Sequence, residues 1–379
     1  MKLIYKQHKK NTVVIPKDWE IKELGSIADF LDSSRKPIKD NDRLKIQGNI
    51  PYYGASGIVD YINDFLFDED LILLGEDGEN IINRNSRLAF KITGKSWVNN
   101  HAHVLRINQE VDINYLSEYL ESLNYEQYNT GTAQPKLNKS TCLGIPVLLP
   151  PRVEQRAIAT ALNDMDALLE SLKCLITKKR AIKQATMQQL LSGKTRLAGY
   201  THPWKSVKLG DVTHIKTGSR NNEDKCSGGA YPFFVRSEFV ERIDTYSHDC
   251  EAILVPGEGR IGDVYHYVNG KFDVHQRVYA ITQFSADAHA KYVYLYMKNR
   301  FGSWALKNTV KATVDSLRLP TFQDFEIQLP SSIDEQKAIA AIINDEESEV
   351  EAMEAKLMKY QYLKQAMMQE LLTGRTRLI

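Results

Sequence analysis

The sequence predicts an α+β chain in which two globular units alternate with two long helices. A repeat carries most of this expectation. The stretch opening Leu149-Pro150-Pro151-Arg152-Val153-Glu154-Gln155 and closing Leu190-Leu191-Ser192-Gly193-Lys194-Thr195-Arg196-Leu197 recurs. The second copy opens Leu329-Pro330-Ser331-Ser332-Ile333-Asp334-Glu335-Gln336 and closes Leu371-Leu372-Thr373-Gly374-Arg375-Thr376-Arg377-Leu378. From Gln155/Gln336 to Leu197/Leu378 the copies run gap-free at an offset of 181 residues. Such a repeat fixes architecture before any single element is considered. A second observation is that Trp19-x-x-x-x-Leu24-Gly25 matches Trp204-x-x-x-x-Leu209-Gly210, so each unit has a common opening as well as a common close. The third is the mixture of short apolar strands and few helices between these landmarks, which belongs to the α+β class.

Each repeated stretch predicts one long helix. Pro151 suits a first turn, where its missing N–H costs nothing. In the second copy, Ser332 and Glu335 have capping-box spacing. Both copies stop at a glycine, Gly193 or Gly374, with Lys194/Arg196 or Arg375/Arg377 beyond it, as expected for a C-cap with cations near the negative helix end. About 40 residues at ~1.5 Å each make a rod of ~60 Å. Inside it apolar residues recur every three and four positions: Leu162, Leu169, Leu172, Ile176 and Leu190 in the first copy, Ile343, Val350, Met353, Leu357 and Leu371 in the second. This is a coiled-coil seam. Rods matched in length predict mutual pairing over the alternative of separate amphipathic helices on a domain. The organisation is then 1–150 globular, 151–197 helix, 198–330 globular and 331–379 helix. If the two halves are equivalent, the chain ends should adjoin.

At 379 residues, with 26% charged and 42% hydrophobic residues, the chain is expected to form two or more soluble domains. It opens without the apolar run of a signal peptide and has no span long enough for a membrane, which points to the cytoplasm. Cys142, Cys174, Cys226 and Cys250 lack paired spacing and read as thiols, neither zinc ligands nor a disulfide framework. The net charge of +1 means that any nucleic-acid surface must come from local patterning or be shared with a partner.

The globular units correspond in outline. Each has an early aromatic strand (Tyr52-Tyr53-Gly54; Tyr231-Pro232-Phe233-Phe234), then an apolar strand entering a glycine loop (Leu71 to Gly78; Ile253 to Arg260). A polar, histidine-bearing segment follows (Asn99 to Val104; Asp273 to Val278), then a helix with Tyr115 and Tyr119, or Tyr292 and Tyr296, on one face. The tyrosines are expected in the core. The glycine loops lack the Gly-Lys-Ser/Thr ending of a phosphate loop, and their acidic residues would repel phosphate, so a tight turn is expected at Gly75–Gly78. Asn49-Ile50-Pro51-Tyr52 resembles a methyltransferase tetrapeptide only superficially and reads as a strand entry. His101, His103 and His275 have no carboxylate or thiol at ligand spacing, so no metal site is expected. The basic run Lys178-Lys179-Arg180 with Lys183 reads as a solvated helix face.

Together the Trp-x-x-x-x-Leu-Gly openings, the Leu-Pro/Glu-Gln helix starts and the Leu-Leu-Ser/Thr-Gly-Lys/Arg-Thr-Arg-Leu ends resemble the specificity subunit of type I restriction-modification systems, over essentially the whole chain. The resemblance implies two target recognition domains, each reading half of a split double-stranded DNA sequence. It implies antiparallel helices that act as a spacer and as a dock for two modification subunits. It also implies partners that carry the chemistry: S-adenosylmethionine-dependent adenine methylation, and a restriction subunit using ATP and Mg. On this reading the chain is not catalytic and holds no cofactor or metal. No base-reading residue can be transferred by motif. Residue type and placement instead nominate Tyr53, Ser56, Asn100, His101, Thr132, Gln134 and Lys136 in the first unit, and Arg236, Arg260, His275, Arg277, Lys311 and Thr313 in the second. Among these, Gln134 suits adenine and Arg260 suits guanine or phosphate. The competing readings are a coiled-coil adaptor with two protein-binding heads and a compact methyltransferase.

Overall fold

The structure is a computed structural model that describes residues 3–8, 11–308 and 316–378. Its chain contacts divide it into two compact units, Met1–Lys173 with Ala355–Ile379, and Cys174–Glu354. The helix expectation holds: Arg152–Leu191 is a 40-residue helix and Ile333–Leu371 a 39-residue helix. The long helices start at Arg152 and Ile333, and the division between the compact units falls inside both of them. Each unit takes one globular domain together with part of both helices, because the helix ends are core elements. Ile158, Ala159, Leu162, Leu371 and Leu372 belong to the core of the first domain. Met187, Leu190, Leu191, Ile339, Ala340 and Ile343 belong to that of the second.

In the first unit, one four-stranded sheet is ordered Gly57–Ile62, Gln47–Gly54, Lys95–Val98, Phe67–Asp68. The other is ordered Ala28–Phe30, Ala102–Ile107, Leu71–Gly75, Ala89–Ile92. Strand Leu71–Gly75 is buried along its whole length, which accounts for its unbroken apolar run. The helix Ile113–Ser122 is capped by Asp112, whose carboxylate accepts from the N–H groups of Asn114 and Tyr115. Tyr115 and Tyr119 face the core as expected, and the Tyr115 hydroxyl donates to the Leu148 carbonyl at 2.7 Å. A six-stranded sheet builds the second unit, ordered His214–Thr217, Val278–Thr282, His248–Pro256, His266–Val274, Tyr231–Phe234, Glu241–Ile243. There Tyr292 and Tyr296 are likewise buried. Both units carry one parallel pairing, Tyr52 opposite Trp97 and Phe233 opposite Asp273, within otherwise antiparallel sheets.

The Leu-Pro motif closes each domain onto its own opening. Strand Pro146–Leu149 pairs antiparallel with Glu20–Glu23, and Glu326–Leu329 with Lys205–Lys208, immediately before each long helix begins. The repeated tryptophan, glutamate and arginine then meet. Glu154, with no exposed side-chain surface, accepts from the Trp19 indole at 3.1 Å and from Arg377 through two bonds of 2.6 and 2.7 Å. In the second unit Glu335 accepts from Trp204 at 3.4 Å and from Arg196 at 2.7 and 2.9 Å. The adjacent glutamine completes the joint. Gln155 donates to the Pro150 carbonyl and accepts from Asp112 N–H, while Gln336 donates to Pro330 and accepts from His289 N–H. Arg377 also pairs with Asp18, so the residues near the two chain ends adjoin in the first unit.

Three local expectations change. Gly193 and Gly374 take positive φ of 68° and 72°, as C-caps should. The arginines beyond them, however, reach the start of the other long helix, where a buried carboxylate outcompetes carbonyl dipoles. Of the expected capping box, only the Ser332 hydroxyl contact to Glu335 N–H forms, at 3.4 Å, because Arg196 recruits the Glu335 carboxylate. Lys179, Arg180 and Lys183 do not form a free solvated face: they pair with Glu349, Glu354 and Glu347. Within the second unit Lys179, Lys183 and Thr186 meet Glu349, Glu347 and Glu346 in turn, one number falling as the other rises, so the two helices run antiparallel there. Leu162, Leu169, Leu172, Ile176, Leu190, Ile343, Val350 and Leu371 are buried, with Leu162 and Leu371 in the core of the first domain and Leu190 and Ile343 in that of the second. Met353 and Leu357 are only half-buried.

Candidate nucleic-acid interface

Three loops of the first domain are tied to one another by backbone bonds. Beyond strand Leu71–Gly75, Glu76 N–H donates to the His101 carbonyl, Gly78 N–H to Pro135, and Leu137 N–H to Glu76. Asp77 bridges Lys136 as an isolated strand pair. The expected tight turn at Gly75–Gly78 is therefore replaced by a longer path that pairs with the 129–137 loop before entering the short helix Asn80–Asn83. Gly75 also permits close approach of the 54–57 turn, since a Cβ there would lie 2.9 Å from the Ala55 carbonyl oxygen.

A buried charge network braces this junction. The His103 ring places Nδ1 2.7 Å from the Asp32 carboxylate and Nε2 2.8 Å from the Leu137 carbonyl. Both partners can only accept, so both ring nitrogens donate and the imidazole is a cation. Burial favours the neutral ring, but the Asp32 bond, together with Cys142 and the Leu137 carbonyl, outweighs it and the pKa is pushed up to about 10. Arg35 adds bonds to Glu76 at 2.7 Å and to the Ala102 carbonyl at 2.6 Å, and Lys136 reaches Glu76 at 3.3 Å. Burial works against the Glu76 carboxylate, yet Arg35, His103 and Lys136 hold it below its ordinary value. His103 is thus a brace between loops. Arg35, Asp32 and Glu76 carry no sequence signal that marks them, because the bonds that tie Arg35 to Glu76 and Asp32 to His103 and Val104 span 41 to 72 residues.

The second domain repeats the junction with different side chains. Gly257 N–H donates to the Arg277 carbonyl, Leu317 N–H to Gly257, and Glu258 bridges Ser316. Glu258 accepts from Arg277 at 2.7 Å and from Arg236 at 3.4 Å, and Arg260 pairs with Glu238 and Asp263. His275 is 5% exposed, and its Nδ1 accepts from Arg277 N–H at 3.0 Å. Burial, aided by Arg236 and Arg277, lowers its pKa, consistent with a neutral accepting ring.

The nominated residues fall into three groups. Ser56, Asn100, His101, Thr132, Gln134 and Lys136 are exposed on the joined loops of the first domain, as are Arg236, Arg260 and Arg277 on those of the second. Tyr53 and His275 are turned inward, the tyrosine against Phe90 with ring centres 6.1 Å apart, so they support the loops from below. Lys311 and Thr313 lie outside the described residues. A cleft of about 720 Å³ beside the long helices of the first unit is lined by Arg84, Arg87, Tyr119, Asp166 and Lys364 among others, and shares no residue with the loops. Among the described residues, no group of three metal-ligating side chains occurs, and no helix is long and apolar enough to cross a membrane. All four cysteines are free.

Residues 16–179 and 201–359 match the family described as the type I restriction modification DNA specificity domain. The chain is 29% identical over 229 residues to a putative type I restriction enzyme specificity subunit of Haemophilus influenzae, covering 60% of this chain and 58% of that one. It is 28% identical over 178 residues to the EcoDI specificity subunit of Escherichia coli, covering 45% of this chain and 37% of that relative. These two alignments thus span less than two thirds of either relative. The MjaVIII specificity subunit of Methanocaldococcus jannaschii aligns over 96% of this chain and 94% of its own length at 22% identity. In fold the chain is similar to the crystal structure of a type I restriction-modification S subunit from M. genitalium, with TM-score 0.67 and 15% identity over 97% of both chains.

Proposed function

The chain belongs to the type I restriction-modification DNA specificity family, and on that premise we propose that it is the non-catalytic DNA-binding subunit of a type I complex. Each domain reads one half of a bipartite duplex sequence, and the paired helices set the distance between the halves. One observation carries this reading: both domains use the same backbone junction to gather three loops, and the exposed side chains on those loops differ between domains. A constant frame with exchangeable polar side chains suits base readout, where donor and acceptor patterns must vary while the docking geometry stays fixed. The pairing of Arg236, Arg277 and Arg260 with acidic neighbours fits a chain with a net charge of +1 whose phosphate grip is supplied largely by partners.

The long helices are the proposed docks for two modification subunits, with restriction subunits joining that assembly. Leu168, Leu175 and Ile182, seven residues apart, leave 42–44% of their surface exposed, and Met358 and Tyr362 leave 56% and 66%. Apolar side chains at heptad spacing on the outer face of an already paired helix offer a seam to a further partner. S-adenosylmethionine, ATP and Mg belong to those partners in this reading, and the reaction directed is adenine methylation in the cytoplasm. The test is genome-wide mapping of methylated adenines in cells with and without the chain. Loss of one bipartite methylation motif is the expected result. An unchanged methylation map, with no salt-dependent retention of duplex DNA by the chain and its modification subunit, would overturn the proposal.

A further inference from the structure

Superposing the hydrogen bonds of the two junctions, rather than their sequences, changes which residues correspond. Sequence alone pairs the histidine-bearing segments through His101 and His275. Asn99 N–H donates to the Tyr53 carbonyl, however, and it is His275 N–H that donates to Phe234. Both Asn99 and His275 are buried, at 8% and 5% exposure. Each accepts with its side chain from the N–H two residues on, Asn99 from His101 at 2.8 Å and His275 from Arg277 at 3.0 Å. The carbonyl of that second residue then receives the glycine-loop N–H, Glu76 to His101 and Gly257 to Arg277. His101 and Arg277 are therefore structural counterparts. The next loop residue, Asp77 or Glu258, turns its carboxylate onto that counterpart, with His101 Nδ1 3.0 Å from both Asp77 oxygens and Arg277 Nη1 2.7 Å from Glu258.

We infer that His101 and Arg277 are the equivalent base-reading side chains of the two domains, with Asp77 and Glu258 as their positioning residues. This rests on the DNA-reading proposal above. Each reader is fixed at its N–H, its carbonyl and one side-chain nitrogen, yet its side chain remains 50% or 56% exposed. Immobilising an exposed polar side chain costs rotamer entropy and adds little to folding, whereas a base contact requires that pre-organisation. The remaining nitrogens, Nε2 of His101 and Nε and Nη2 of Arg277, have no hydrogen-bond partner among the described residues. Nδ1 of His101 faces a carboxylate and so carries a proton, which leaves Nε2 as the group presented. Arg277 presents two donors in a fork that matches O6 and N7 of guanine.

The test uses the full chain with its modification subunit, selecting from a pool of randomised duplexes and mapping methylated adenines in cells. Arg277→Ala should flatten a guanine preference at one position of one half-site, by roughly five- to hundredfold, the range for a lost bidentate contact, leaving the other half-site unchanged. His101→Arg should move one position of the opposite half-site toward guanine. Asp77→Asn and Glu258→Gln should broaden the preference at those same positions without lowering the melting temperature, a readout that a merely structural role would not move. Arg277→Lys separates folding from reading, because it keeps the charge and loses the fork, so it should melt like the parent and still lose the guanine preference. Uniformly weaker binding with an unchanged motif in all five single-domain variants would overturn the inference while leaving DNA reading intact. Failure of the parent chain to enrich any sequence would instead overturn DNA reading itself.

Discussion

Replacing Arg377 by alanine tests the joint that ties the chain's end to the start of the first long helix. The Glu154 side chain has no exposed surface and Arg377 only 14%. The substitution removes two charge-assisted bonds of 2.6 and 2.7 Å and leaves the carboxylate with the 3.1 Å bond from Trp19 as its remaining side-chain partner in the joint. Breaking a buried pair on one side costs about 3–5 kcal/mol, because a desolvated charge is left uncompensated. Asp18, whose side chain is 49% exposed, adds little to that figure. In the second unit Arg196 is 28% exposed, so Arg196→Ala should cost less, about 2–3 kcal/mol. Combining Arg377→Met with Glu154→Gln removes the stranded charge while keeping an acceptor for the Trp19 indole, and should regain roughly 1–3 kcal/mol. Hydrogen-exchange mass spectrometry on the full chain resolves the two units by their peptides, and urea unfolding supplies the scale. A loss under about 1 kcal/mol in first-unit peptides, the worth of an exposed pair, would refute the reasoning. So would a double variant no more stable than Arg377→Ala.

The protonated His103 gives the first domain an alkaline limit. Its stabilisation is fully present below about pH 6.5, the value of a free imidazole, and is lost as the pH rises through about 10. His103→Gln should lower stability at neutral pH by a few kcal/mol and remove that limb, which pH-dependent unfolding would record. On the acid side, burial disfavours the Asp32 and Glu76 carboxylates, but His103 and Arg35 hold both below their ordinary values. Their contribution is therefore present above about pH 4 to 4.5 and lost as the pH falls through the lowered values. Leu162→Ala empties a fully buried core position and should cost about 2–5 kcal/mol. Leu357→Ala, at a half-buried position, should cost less than half as much, and equal losses by urea unfolding would contradict the seam described. Inserting four residues after Leu191 adds about one helical turn, ~6 Å. It should lengthen the non-specific spacer by about one base pair with both half-sites unchanged, and altered half-site bases with an unaltered spacer in methylation maps would rule out the helices as the ruler.

The repeat was legible in the sequence because it is local and periodic. Helix length, the glycine stops at Gly193 and Gly374 and the tyrosine faces of the short helices follow from spacing along the chain, so they could be read before any contact was known. The apolar runs Leu71–Leu74 and Ile253–Val255 likewise marked buried strands. What the repeated Trp, Glu-Gln and Thr-Arg motifs were for was not legible, because each is one corner of a joint whose members lie 131 to 223 residues apart. Sequence spacing assigned Arg196 and Arg377 to the dipole of their own helix. The tertiary fold assigns them to a buried carboxylate on the other, where desolvation makes a charge pair stronger than a terminal carbonyl. The loops show the same division. Exposed polar side chains could be nominated by type, but neither the brace around His103 nor the equivalence of His101 with Arg277 has a sequence signature. A histidine and an arginine share a place only because Asn99 and His275 fix the same backbone bond beneath them.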